Sequence, residues 1–161
     1  MLAGSYSHLR ICATEDASIL HLTMTKLSEV RFIDLPRHAR ADGEVIVAEA
    51  AAQVPFRIER MFALTAPAGA KRGRHAHRLC SQFMICVSGA VEVVCEDGSK
   101  KNTFALNSRN QALLVPPGLW NTVEFRQNES VLIVLCDRVY EADDYIRDYA
   151  EFLSFRESVR A

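Results

Sequence analysis

The sequence predicts an all-β protein, a small sandwich or barrel that ends in a single helix. Three observations carry this. From about residue 28, short strand-like runs follow one another with turn residues between them and no helical period intervening. Asp97-Gly98 sits between two such runs and is the strongest hairpin signal in the chain. Only the last stretch changes period, spacing Tyr145, Tyr149, Phe152 and Phe155 by three or four residues.

Taken in order, residues 1–27 read as a disordered, dispensable extension. "MLAGSYSHLRICATEDASIL" has no basic start followed by an apolar stretch, so it makes a poor signal peptide, and Met24 opens a more natural beginning. Residues 28–139 hold the strands. "EVRFIDLP" stops at Pro36, "ARADG" turns, and "EVIVAEA" extends again. "VPFRIERMFALT" alternates, with Phe56, Ile58 and Arg60 on one face. "CSQFMICVSG" and "AVEVVCEDG" are β-rich, and "NTFALN" returns from the hairpin. "QALLVPPGLWNTVEFRQNESVLIVLC" gives three strands, broken at Pro116-Pro117-Gly118 and at Arg126–Glu129. Residues 140–161 form the helix, with Asp143 or Asp144 available as its cap.

Bulk properties exclude several classes. The 161 residues suit one domain, and 49% apolar with 24% charged residues is ordinary for a soluble protein. A net charge of −1 gives no general attraction for nucleic acid or anionic lipid. No apolar run approaches the ~18 to 20 residues that cross a bilayer. Cys12, Cys80, Cys86, Cys95 and Cys136 form no CxxC pair; an odd count without a secretory signal indicates reduced thiols in a cytoplasm.

The chemistry concentrates in "RGRHAHRLCSQ". On a strand His75 and His77 share a face and Ala76 takes the other, which suits a metal site or an acid–base pair. From Gly69 the spacing runs through His75 and His77 to Gln82 and Gly89, and Pro116-Pro117-Gly118-Leu119-Trp120 leads to Asn121. This resembles the two signatures of the cupin superfamily, with Gln82 in place of the usual glutamate and Asn121 in place of the later histidine. The resemblance implies a jelly-roll barrel of the RmlC-like kind. Two carboxamides are weak ligands for a transition metal, so no metal is expected at these four positions. Histidine, with an ordinary pKa of ~6.5, is suited to moving protons near neutrality.

From about residue 41 to 153 the chain further resembles the WxcM-like sugar-nucleotide 3,4-ketoisomerases. The likeness is carried by "DGEVIVAE", "VPFRIERMF", "RGRHAH", Gln82, "VSGAVEVVCEDG", "LLVPPGLW" and "SVLIVLCDRVYEADDYIRDYAEF". It implies transfer of a keto group from C4 to C3 of a dTDP-linked 4-keto-6-deoxyhexose through an enediol, with neither redox cofactor nor metal. His77 is then expected at the carbon and His75 at the oxygens. Arg60 and Arg72 are expected on the diphosphate. Gln82 and Asn121 would contact sugar hydroxyls or orient an imidazole, and Trp120 would wall the pocket or pack in the core. A homodimer is implied as well. Phe62 and Ala63 stand where members often carry tyrosine, so a hydroxyl is absent there. A non-catalytic nucleotide-sugar binder and a metal-dependent cupin enzyme remain the alternatives.

Overall fold

Alternation decides the architecture. Val91, Val93 and Cys95 are buried while Glu92, Val94 and Glu96 are half-exposed, and residues 120–125 repeat the pattern. Such strands give one face to a core. The structure, a computed structural model, describes residues 25–159. The first strands are β1 (Arg31–Asp34), β2 (Arg37–Arg40), β3 (Gly43–Ile46), β4 (Arg60–Thr65), β5 (Lys71–His77) and β6 (Gln82–Ser88). They are followed by β7 (Val91–Glu96), β8 (Lys101–Leu106), β9 (Gln111–Val115), β10 (Trp120–Phe125), β11 (Val131–Cys136) and β12 (Tyr145–Ile146). The chain then enters α1 (Tyr149–Ser158).

The strands build two five-stranded antiparallel sheets, ordered β1-β9-β6-β11-β4 and β12-β5-β10-β7-β8, with β2–β3 as a separate hairpin. Met84, Cys86, Leu132 and Val134 of the first sheet and Val91, Val93, Val123 and Phe125 of the second enclose the main core. This is the β-barrel with one C-terminal helix that the sequence predicted. Among the described residues no helix is long and apolar enough to cross a membrane.

Three elements differ from expectation. First, β2 is exposed along its whole length, so it carries no alternation by which it could be recognised. Second, "VPFRIERMFALT" is not one strand. Phe56 packs with Val54, Phe83 and Ile85 on the outside of the first sheet, whereas Arg60 and Phe62 lie on a half-buried face turned inward. A continuous strand cannot serve both surfaces, so the chain stays irregular before Arg60.

Third, the helix starts later than residue 140. Ala142–Asp144 is one 3₁₀ turn, and Tyr145–Ile146 pairs with β5. The cap is Asp148, whose carboxylate accepts from the Glu151 amide at 2.9 Å. Asp144 has other work. The helix lies on the outer face of the second sheet, where Ala76, Ile146 and Phe152 are fully buried together.

Arg156 fastens this helix to the barrel. Its guanidinium donates to the carbonyls of Asp97 (3.0 Å), Gly118 (2.9 Å) and Thr25 (3.0 Å). The Thr25 contact and the burial of Leu27 in the main core tie residues 25–27, expected within the extension, to the fold. The rest of that expectation, residues 1–24, lies outside the described residues. Arg156→Met removes the donors and strands carbonyls near the core. A loss of about 2 kcal/mol is expected, a fall in Tm of roughly 4–8 °C by differential scanning calorimetry.

Candidate active site

The site is built where β5, β10, β6 and β12 meet. A cavity of about 350 Å³ opens between the sheets, and His75, Arg72, Gln82, Asn121, Phe62 and Tyr145 are in its wall. A bulge in β5 brings Arg72 there. Asn121 pairs with His75 and Val123 with Arg72, so Gly73 and Arg74 together occupy one step of the ladder. Both have positive φ, 77° and 58°. A Cβ on Gly73 would come within 3.0 Å of the Asn121 carbonyl oxygen, so the left-handed φ and the close approach both demand glycine. Without the bulge, strict alternation from His75 would turn Arg72 away from the cavity.

His75 and His77 do share a face. Their Nε2 atoms stand 3.2 Å apart with the rings edge to face. His75 lines the cavity and His77 is buried directly behind it. His77 Nδ1 faces Asp144 Oδ2 at 2.6 Å, and the Leu79 amide donates to the other oxygen of that carboxylate at 2.7 Å. Asp144 thus fixes the Nδ1–H tautomer of His77 and leaves a lone pair on Nε2, aimed at His75. A single exchangeable proton fits between the facing nitrogens.

Burial first, then the charge of His77, pushes the His75 pKa from 6.5 down to about 4. Burial also lowers His77, against the opposing pull of Asp144. Both rings are therefore neutral at pH 7 and able to accept a proton. Linkage follows, since unfolded His75 binds its proton near pH 6.5 and the folded ring only near 4. Its contribution to stability is complete above 6.5 and is lost as the pH falls towards 4. On the order of 3 kcal/mol should disappear across that window. Urea midpoints against pH measure it, and in His75→Gln the slope between pH 4 and 6.5 should flatten.

The carboxamides meet across the barrel, Asn121 Nδ2 donating to Gln82 Oε1 at 3.4 Å. Arg60 stands at the edge of the site. Its Nη2 reaches the Tyr145 hydroxyl at 3.4 Å and Cys136 Sγ at 3.5 Å, and its guanidinium lies over Phe62 and Tyr140. Among the described residues no carboxylate pairs with it, and the Cys136 sulfur is its acidic neighbour. Of the two places expected for Trp120, in the pocket wall or packed, the structure shows the second. Alternation along β10 turns Asn121 inward and Trp120 outward, where it packs against Tyr149 and Phe152 under the helix. It does not line the cavity.

Asp144, Tyr145 and Arg147 were read as a helix start and were missed. The Tyr145 ring lies 5.0 Å from His75 and 4.3 Å from His77, with the Arg147 guanidinium 4.2 Å above it. Burial raises the Tyr145 pKa, and Arg60 opposes that rise. Below the histidines the Cys80 thiol donates to the Ser81 carbonyl at 3.4 Å, and the neighbouring Cys80 thiol together with Arg60 draws the Cys136 thiol down to about 6.

An antiparallel barrel with a facing imidazole pair, one ring backed by a buried carboxylate, defines a cupin-type protein. Comparison with known proteins narrows the class. The chain belongs to the FdtA family, WxcM-like, C-terminal, whose model matches residues 28–157. The TDP-4-oxo-6-deoxy-alpha-D-glucose-3,4-oxoisomerase of Aneurinibacillus thermoaerophilus is 28% identical over 128 residues, which cover 79% of this chain and 92% of that protein. The sugar 3,4-ketoisomerase QdtA of Thermoanaerobacterium thermosaccharolyticum, solved with TDP, is 26% identical at a TM-score of 0.79, covering 83% of this chain and 98% of its own. A histidine-to-asparagine mutant of that enzyme, solved with TDP-4-keto-6-deoxyglucose, is 25% identical at a TM-score of 0.79, covering 83% of this chain and 97% of its own.

Proposed function

We propose that this protein is a 3,4-ketoisomerase acting on a TDP-linked 4-keto-6-deoxyhexose. The observation that carries the mechanism is the His75–His77–Asp144 chain behind the cavity wall. The C4 carbonyl acidifies the hydrogen on C3. On entry the sugar replaces the contact between the two Nε2 atoms. His77, the better base because Asp144 holds its other nitrogen, takes the C3 proton. The electron pair forms the C3–C4 double bond of an enediol, and His75 serves the oxygens. Delivery of a proton to C4 leaves the carbonyl on C3. No electrons leave the sugar, so no redox cofactor is required, and the step as written uses no metal.

Arg60 and Arg72 neutralise the diphosphate. Gln82 and Asn121 hydrogen-bond the sugar, which offsets their burial. Tyr145 brings a hydroxyl to a pocket where Phe62 offers none. The exposed β2–β3 hairpin, with Val45 on its surface, supports a homodimer in which a second copy covers it. Sedimentation should then give twice the chain mass.

The test is direct. TDP-4-keto-6-deoxyglucose is incubated with chelator-treated protein in deuterated water and followed by NMR. The expected product has its carbonyl at C3 and deuterium at C4. Binding without conversion would leave a nucleotide-sugar binding module in place of the enzyme.

A further inference from the structure

Around His77 three chemically different donors converge. A ring nitrogen of His77, Cys80 Sγ and an Asp144 carboxylate oxygen all lie within 4.8 Å of one another, and all three residues are buried. Imidazole, thiolate and carboxylate are the ligand types that Zn²⁺ and Cd²⁺ accept, at roughly 2.0–2.3 Å. Seating a cation among them needs shifts of about 1 Å. A cleft borders one of the three residues. An outer cleft of about 490 Å³ is lined by Asp144 itself together with Asp143, Glu141, Leu79 and Arg78. Asp143 is an exposed carboxylate that attracts a cation, Glu141 is shared with Arg138 at 3.5 Å, and the one basic residue of the cleft wall, Arg78, is engaged by Glu151.

We propose that His77, Cys80 and Asp144 form an inhibitory site for a thiophilic divalent cation such as Zn²⁺. The site shares His77 and Asp144 with the His75–His77–Asp144 chain, while His75, Gln82 and Asn121 stay in the cavity wall. The inhibition rests on the reading of His77 as the base; the binding does not. Binding involves no redox change. The Cys80 thiol gives its proton to water and its sulfur to the metal. His77 loses the hydrogen on Nδ1 and carries one on Nε2 instead, so one proton is released per cation. In that tautomer Nε2 has no lone pair with which to take a proton from carbon. Turnover stops while the cavity stays open to nucleotide.

Cd²⁺ titration of the full-length, chelator-treated protein tests this through the ultraviolet thiolate-to-cadmium charge-transfer band. The wild type should show a band that saturates at one equivalent and is lost in both Cys80→Ala and Cys80→Ser, with melting curves establishing that the variants fold. Turnover of the metal-free wild type is measured first. Adding Cd²⁺ or Zn²⁺ should lower it ~10²-fold or more, reversibly on chelation, while Cys80→Ala, active without metal, resists. TDP affinity should stay unchanged throughout. A band equally strong in both Cys80 variants, or no band, overturns the site. A Cys80-dependent band with undiminished turnover overturns the inhibition. Absence of turnover in the metal-free wild type overturns the isomerase reading instead, and the titration still decides the site.

Discussion

Asp144→Asn is expected to lower kcat by ~10²- to 10⁴-fold with little change in KM, because the carboxylate sets the tautomer of His77 without touching the sugar. Asp144 lies 2.6 Å from Nδ1 in a buried setting, and its second oxygen is held by the Leu79 amide. An asparagine can keep one of these contacts, but it can also turn its NH₂ towards Nδ1. The ring then carries its hydrogen on Nε2 and cannot accept another. Where the carboxylate is lost, so is its upward pull on the His77 pKa. The acid limb of the kcat profile should therefore move to lower pH. That displacement separates a positioning role from simple loss of fold, and Asp144→Glu should recover part of the rate. A kcat reduced by less than about tenfold, with an unmoved profile, would remove Asp144 from the mechanism.

His77→Asn carries the larger effect, at least ~10³-fold in kcat and loss of deuterium incorporation at C4. Affinity for TDP, measured by calorimetry, should be retained because Arg60 and Arg72 are untouched. His75→Asn should cost less, since the His77–Asp144 pair survives it. Were His75→Asn the more damaging of the two, the assignment of carbon and oxygen roles would be reversed.

The physical reason for what was legible is period. His75 and His77 were brought together on paper because two residues on one strand face differ by two, and the same rule recovers most strands around the main core. It also separates Trp120 from Asn121, adjacent residues that cannot both face the cavity on a regular strand. Asp144 and Tyr145 were opaque for the opposite reason. A two-residue strand following a single 3₁₀ turn has no period, and its acidic and aromatic residues imitate the start of the amphipathic helix that comes just after. The β5 bulge was hidden too, because a ladder step shared by Gly73 and Arg74 exists only relative to its partner strand. Arg60 faces inward, but Phe56 and Ile58 are no guide to it, since they precede the strand.

Ala76 connects these levels. It is wholly buried, opposite Trp120 on one side and Ile146 on the other. A thicker side chain there would act as a wedge, lifting the short strand that carries Tyr145 and, one residue earlier, Asp144. The spacer between the imidazoles thus belongs to a lever whose far arm is the helix. The helix packed over Ala76 and Ile146 covers the strand that follows Asp144, the carboxylate that pulls the His77 pKa upward.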